Sequence, residues 1–165
     1  MTVRIVKAGA ERVDALEPLW GSLHTHHRQV ADEMPGIPMR EVEDSWPRRR
    51  TRYVEWLSDP DAFVLIAEDD AIPVGYALVS LHGADDTHVT ADRVGELQTL
   101  AVEPGYRGTG LGTRLLERVY QELRSLGVGE MLIGVLAGND DALRLYERHG
   151  FRPWVIVTLG RIPDA

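Results

Sequence analysis

Apolar positions along this chain switch repeatedly between two periods, one that builds strands and one that builds helices. Residues 3–6 read as a first strand. Over residues 11–30 Val13, Leu16, Leu19, Trp20 and Leu23 recur at helical spacing, with Pro18 near the start of that helix or kinking it. Residues 34–38, rich in proline and glycine, form a loop. A second helix is capped by Asp44 or Ser45, holds Pro47 in its first turn and turns Tyr53, Trp56 and Leu57 inward. Asp59-Pro60 ends it.

Residues 62–68 and 72–81 are apolar almost throughout, joined by the turn Asp69-Asp70-Ala71. Such runs predict strands covered on both faces. Residues 94–102 supply a further strand, stopped by Pro104-Gly105. A helix over 110–126 follows, with Leu111, Leu115, Val119, Leu123 and Leu126 on one stripe. Residues 131–136 read as a short buried strand. Gly138-Asn139-Asp140 opens a helix with Ala142, Leu143, Leu145 and Tyr146 at helical spacing, closed by His149-Gly150. Residues 151–159 supply a last strand or two. The order implies an α/β fold, one mixed central sheet flanked by helices, in a single domain over 1–165.

Composition narrows the chemistry. A chain of 165 residues with 44% hydrophobic and 27% charged residues fits one soluble domain. It has no cysteine, which excludes disulfides, thiolate metal sites and a cysteine nucleophile. No apolar run is long enough for a membrane span and no signal-peptide pattern opens the chain, so a cytoplasmic protein without membrane contact is expected. Net charge of −8 makes nucleic acid an unlikely partner and favours cationic ones. His24, His26 and His27 read as solvated histidines at a helix end rather than a metal site. The acidic stretch 82–91 fits no calcium loop, and no metal is expected. Arg48, Arg49, Arg50 and Arg52 read as a solvated helix face, phosphate or nucleic-acid contact being the alternative.

The stretch Arg107-Gly108-Thr109-Gly110-Leu111-Gly112 carries more information. It joins a strand to a helix, and a helix start presents unpaired N–H groups to an anion. It is not a P-loop, since Leu111 stands where lysine must be, nor a dinucleotide fingerprint, since Thr113 replaces the last glycine. It does fit Arg/Gln-x-x-Gly-x-Gly/Ala through Arg107, Gly110 and Gly112. A second pattern, Asn139-x-x-Ala142-x-x-x-Tyr146-x-x-x-Gly150-Phe151, begins 27 residues after Gly112. Together the two resemble the acetyl-CoA-binding motifs of the GNAT acetyltransferase superfamily, over about a third of the chain.

That resemblance implies a bulged central strand splayed from its neighbour, with pantetheine of acetyl-CoA in the gap. Backbone groups of Leu100, Ala101 and Val102 would pair with pantetheine, the Leu100 N–H polarising the thioester carbonyl. The loop Arg107, Gly108, Thr109, Gly110, Leu111 and Gly112, with Thr113, would cradle the pyrophosphate. Asn139 would reach the pantetheine side. Tyr146 would point at the sulfur and protonate the departing thiolate, and Glu96 stands where several members keep a general base. The acceptor pocket would be built by the segment between the first two helices and the loop 82–91.

The chemistry asks for such groups. An amine attacks only when neutral, and a lysine-like amine of pKa ~10.4 costs about 4–5 kcal/mol to deprotonate at pH 7. A carboxylate at Glu96, acting directly or through water, would take that proton. The resulting reading is an acetyl-CoA-dependent N-acetyltransferase acting on a primary amine of a small molecule or peptide, open to homodimer assembly. Two alternatives share the fold: a noncatalytic acyl-CoA-binding regulator, and a toxin acylating aminoacyl-tRNA.

Overall fold

Strand runs that are apolar on both sides need a layer on each face, and the sheet is covered front and back. In the computed structural model, which describes residues 2–164, β1 (Arg4–Ala8), β2 (Phe63–Asp69), β3 (Ile72–Gly83), β4 (Arg93–Val102) and β5 (Met131–Ile133) form one sheet in that order. Neighbours from β1 to β4 are antiparallel, and β5 runs parallel to β4. The helices are α1 (Glu17–Val30), α2 (Val42–Trp56), α3 (Leu111–Ser125) and α4 (Asp140–Arg148). The β2–β3 hairpin turns through Asp70 and Ala71, both at positive φ (47° and 66°), as a two-residue turn matched to strand twist requires.

The period of two in β2 sorts its apolar run into two cores. Phe63, Leu65 and Ala67 face α3 and meet Leu111, Leu115, Leu116, Val119 and Leu123. Val64 and Ile66 face the other way, against Val13, Leu16, Leu19, Trp20, Trp46 and Tyr53 from α1, α2 and the 3-10 segment Ala10–Leu16. Leu111, Leu115, Val119 and Leu123 of the α3 stripe are buried as their spacing predicts, Leu126 is partly buried, and Leu116 beside the stripe is buried as well. Burial of each such side chain stabilises the fold by about 1.5–3 kcal/mol.

Four local expectations are corrected. The first helix is split: its opening third is the 3-10 segment, and Pro18 occupies the second position of α1, where a missing N–H is harmless. The second helix starts at Val42 after Glu41, so Pro47 lies inside it and leaves the Glu43 carbonyl without its helical donor. The strand expected over 131–136 ends at Ile133 because the chain then bends away from β4. Residues 151–159 form no strand. Propensity there is high, but it is a preference for a pleated, packed surface, and this segment instead crosses the loops. Trp154 reaches His88 (Nε1 to Nε2, 3.3 Å), Arg161 bonds the Gly36 carbonyl, and Val155, Ile156 and Val157 are exposed.

Candidate active site

The site begins as an interruption in the sheet. Between β3 and β4 the register slips: Leu78 faces Thr99 while Val79 faces Leu97, so Gln98 is an extra residue. Such a bulge bends its strand and tightens the twist. On the other edge β4 pairs with β5 only through Gly95–Met131, Glu96–Leu132 and Leu97–Ile133. Beyond that pair the two chains part. The gap between Leu97, Gln98, Thr99, Leu100 and Val102 on one side and Ile133, Gly134, Val135 and Leu136 on the other forms a slot of about 950 Å³.

One end of the slot is the glycine loop. Gly108 and Gly110 have φ of 73° and 83°, conformations that side-chain-bearing residues rarely hold. Gly110 caps α3, and the first amide to find a helical acceptor is Arg114, bonded to the Gly110 carbonyl at 3.0 Å. The amides of Leu111, Gly112 and Thr113 come before it and have no helical acceptor, and the helix dipole adds partial positive charge. A Cβ built on Gly108 or Gly110 would meet no protein atom within 4 Å, and one on Gly112 only a Val102 methyl at 3.9 Å. The space in front of the loop is therefore left clear by the fold. Arg107 donates Nε–H to the Val102 carbonyl at 3.0 Å and lines the slot. The donor set suits a diphosphate.

The α4 side closes the slot. Asn139, buried, accepts from the Ala142 N–H at 3.4 Å and so caps α4 while lining the slot. Tyr146 is also buried on the slot wall, against Phe151. Burial, and secondarily Tyr120, pushes its phenol up to about 12, so it is protonated near neutral pH and available as a donor.

Of the residues singled out from sequence, Leu100, Val102, Arg107, Gly108, Gly110, Leu111, Gly112, Thr113, Asn139 and Tyr146 line this one slot. Ala101 is packed on the opposite face, against the α1–α2 core, and does not line the slot. Thr109 is exposed and its hydroxyl donates to the Tyr106 carbonyl at 2.6 Å. Glu96 lies off the slot wall. Its carboxylate is 2.6 Å from Nε2 of His82. From there a chain of contacts leads inward: His82 to the Ser80 hydroxyl at 3.2 Å, and Gln98 Nε2 donating to that hydroxyl at 2.9 Å. Gln98 is on the slot wall. Sequence reasoning missed His82, Ser80 and Gln98. Their alternation along the hairpin was visible, but the register that sets Ser80 opposite Glu96 was not.

The far wall comes from α1 and α2, and it overturns two expectations. The histidines are not solvated: His24 is buried, and His26 and His27 line the slot. Desolvation lowers all three, and His27, with His26, His24 and Arg49 adding repulsion, falls to about 4. No group of residues arranged to hold a metal is found among the described residues. The arginine run is not one solvated face either, since Arg49 and Arg52 line the slot. Neither the segment 31–41 nor the loop 82–91 lines this slot, whose far wall is α1 and α2.

The chain belongs to the Acetyltransferase (GNAT) family, whose model matches residues 29–151. It is similar to an uncharacterized N-acetyltransferase of Mycobacterium tuberculosis, with 36% identity over 101 residues, 61% of this chain and 60% of the relative. A mycothiol acetyltransferase of Nocardiopsis dassonvillei is 35% identical over 130 residues, 78% of this chain and 36% of the relative. The chain thus spans less than two thirds of the length of these relatives. Among solved structures, a Clostridium acetobutylicum protein described as a predicted acetyltransferase with acetyl-CoA superposes with a TM-score of 0.70 at 17% identity, over 95% of this chain and 96% of that one. That likeness shows the fold, a mixed five-stranded sheet with flanking helices.

Proposed function

We propose that this protein is an acetyl-CoA-dependent N-acetyltransferase that moves the acetyl group to a primary amine of a small molecule or peptide by direct attack in a ternary complex. The observation that carries this reading is the slot itself. It joins unpaired helix-start amides at one end to a bulged strand and a buried, protonated tyrosine at the other. The fit with a structure described with acetyl-CoA and with relatives named acetyltransferases supports the same co-substrate here.

The amides of 108–113 hold the pyrophosphate, with Arg107 beside them, and the backbone of Leu100, Ala101 and Val102 pairs with pantetheine. Asn139 borders the pantetheine arm. The Leu100 N–H stabilises the oxyanion as the amine nitrogen bonds to the acetyl carbon. The carbon–sulfur bond then breaks and the pair of electrons leaves on sulfur. The amine's proton passes through water towards the His82–Glu96 pair, with Gln98 and Ser80 bordering that route. Tyr146 acts chiefly as a hydrogen-bond donor to the departing thiolate. Proton transfer from a phenol near 12 to a thiolate of ordinary pKa ~8.5 is uphill by about 5 kcal/mol, so the sulfur takes its final proton from solvent. A cytoplasmic location belongs to the same reading, supported by a cysteine-free sequence with no disulfide framework.

Two measurements test it. Acetyl-CoA titrated calorimetrically should bind at micromolar strength, and free thiol should appear when a panel of amines is added. Binding without release for any amine would leave the noncatalytic regulator as the function. Absence of binding would remove both readings.

A further inference from the structure

The four arginines of α2 divide their tasks. Arg50 is committed to Asp14 through Nε at 2.6 Å, and Arg48 is exposed. Arg49 and Arg52 have no carboxylate partner among the described residues, and both line the slot. Their positions are held by aromatic rings instead. The Arg49 guanidinium stands 4.5 Å from the centre of the Trp20 ring and 5.8 Å from that of Tyr53, and Arg52 stands 5.7 Å from that of Trp56. A guanidinium held over a ring face by cation–π attraction does not use up its N–H donors.

Other donors gather at the same end. Trp20 is 6% exposed, lines the slot, and its buried indole N–H has no acceptor. Tyr53, beneath Arg49, bonds the hydroxyl of Thr99, which places this cluster beside the bulge. It is therefore distinct from the glycine loop at the start of α3. The one carboxylate on the slot wall among the described residues is Asp141, on α4 and already paired with Arg144. Two guanidinium groups without an acceptor, Arg49 half-buried and Arg52 at the exposed rim of the slot, make a site for an oxyanion, because each has protons to give and nothing to accept. The chain's net charge of −8 does not describe this wall.

We infer that the acceptor amine carries an oxyanion, a carboxylate or a phosphate, held by Arg49 and Arg52, while its amino group reaches the bulge at Leu97–Thr99. The inference rests on the N-acetyltransferase reading above and names the substrate class of that site. It replaces the purely cationic acceptor suggested by net charge.

The experiment has a binding arm and a turnover arm. Succinate and inorganic phosphate are titrated separately into the protein saturated with CoA, followed by the Arg side-chain Nε–H signals in ¹⁵N NMR. One of them should shift Arg49 and Arg52 saturably in the millimolar range, and the one that does so identifies the oxyanion. In the turnover arm, ω-amino carboxylates from glycine to 6-aminohexanoate are compared with their amides, and O-phosphoethanolamine with ethanolamine. The preferred anionic amine should exceed its neutral partner at least tenfold in kcat/KM. Arg49→Gln and Arg52→Gln should each cost it about 10–100-fold, mainly in KM, with Arg49→Lys intermediate because the charge survives but the fork does not. Acetyl-CoA affinity should be unchanged, which also shows that the variants fold. Equal rates for charged and neutral partners, variants that weaken acetyl-CoA instead, or no saturable shift with either anion would each overturn the proposal. Since the binding arm needs no turnover, it decides the subsite even if acetyl transfer itself fails.

Discussion

Leu97 and Ile133 are the last paired residues between β4 and β5, and one residue later, at Gln98, β4 also loses register with β3. A single position thus marks both the end of the β5 pairing and the bulge against β3, beyond which β4 stays paired with β3 alone from Thr99 to Val102. The backbone groups of the stretch 99–102 that would have met β5 have no strand partner on that side. In a buried sheet such groups need partners, so an extended ligand with its own amides is the natural completion.

The glycine loop gives the most direct test. Gly110→Val imposes a branched side chain on a φ of 83°, and Gly112→Val places one in the space kept clear before the α3 amides. Both variants should lose acetyl-CoA binding by at least a hundredfold while circular dichroism stays native. Normal binding in both, measured by calorimetry, would remove the loop from the cofactor site.

Gly138 predicts a stability effect of a different origin. Its φ is 91°, and a Cβ there would lie 2.4 Å from the Val30 carbonyl oxygen and 2.8 Å from the Asp32 amide. These are backbone atoms at the end of α1, tied to the same turn by the Asp32 N–H bond to the Ala137 carbonyl. Gly138→Ala should cost about 2–4 kcal/mol, combining left-handed strain with overpacking. Denaturant unfolding measures it; a change under 1 kcal/mol would mean the junction yields easily.

His27 links the slot wall to pH. Its folded-state pKa of about 4 lies below the unfolded value near ~6.5, because burial first and then His26, His24 and Arg49 disfavour its charge. The folded state therefore binds fewer protons. The contribution of His27 to stability is complete above pH ~6.5 and drains away as pH falls towards 4. His24 and His26 shift in the same direction. The melting temperature should decline over that window, and His27→Gln should flatten the decline. A His27 NMR titration with a midpoint above 6 would contradict the assignment.

Much of this was legible in one dimension. The α3 stripe and the Asn139 cap follow from local spacing, and both are where periodicity and capping rules put them. What escaped depends on relations between elements. The histidines and the arginines are polar by type, and only the packing of α1 against α2 over the bulge turns His26, His27, Arg49 and Arg52 into a slot wall. Likewise, residues 151–159 carry strand propensity, but a strand also needs an edge to pair with, and β5 offers only three residues.

The proton handlers allow the sharpest separation of catalysis from structure. If Glu96, through His82, receives the amine's proton, kcat/KM should rise along an acidic limb. Glu96→Gln should lower it roughly 10²–10⁴-fold near neutrality and less at high pH, where the amine is already free. His82→Asn should follow Glu96→Gln, since the 2.6 Å contact makes the two a unit, and the double variant should lose little more than either single one. Tyr146→Phe keeps the ring against Phe151 and removes only the hydroxyl. It should slow turnover about 10–100-fold with acetyl-CoA affinity intact, because a donor to the departing sulfur matters only as the carbon–sulfur bond breaks. It should leave the acidic limb in place, since that limb belongs to the other pair. A packing role for Tyr146 would instead lower the melting temperature and spare the rate. Wild-type rates in both Glu96→Gln and His82→Asn would assign deprotonation to solvent alone.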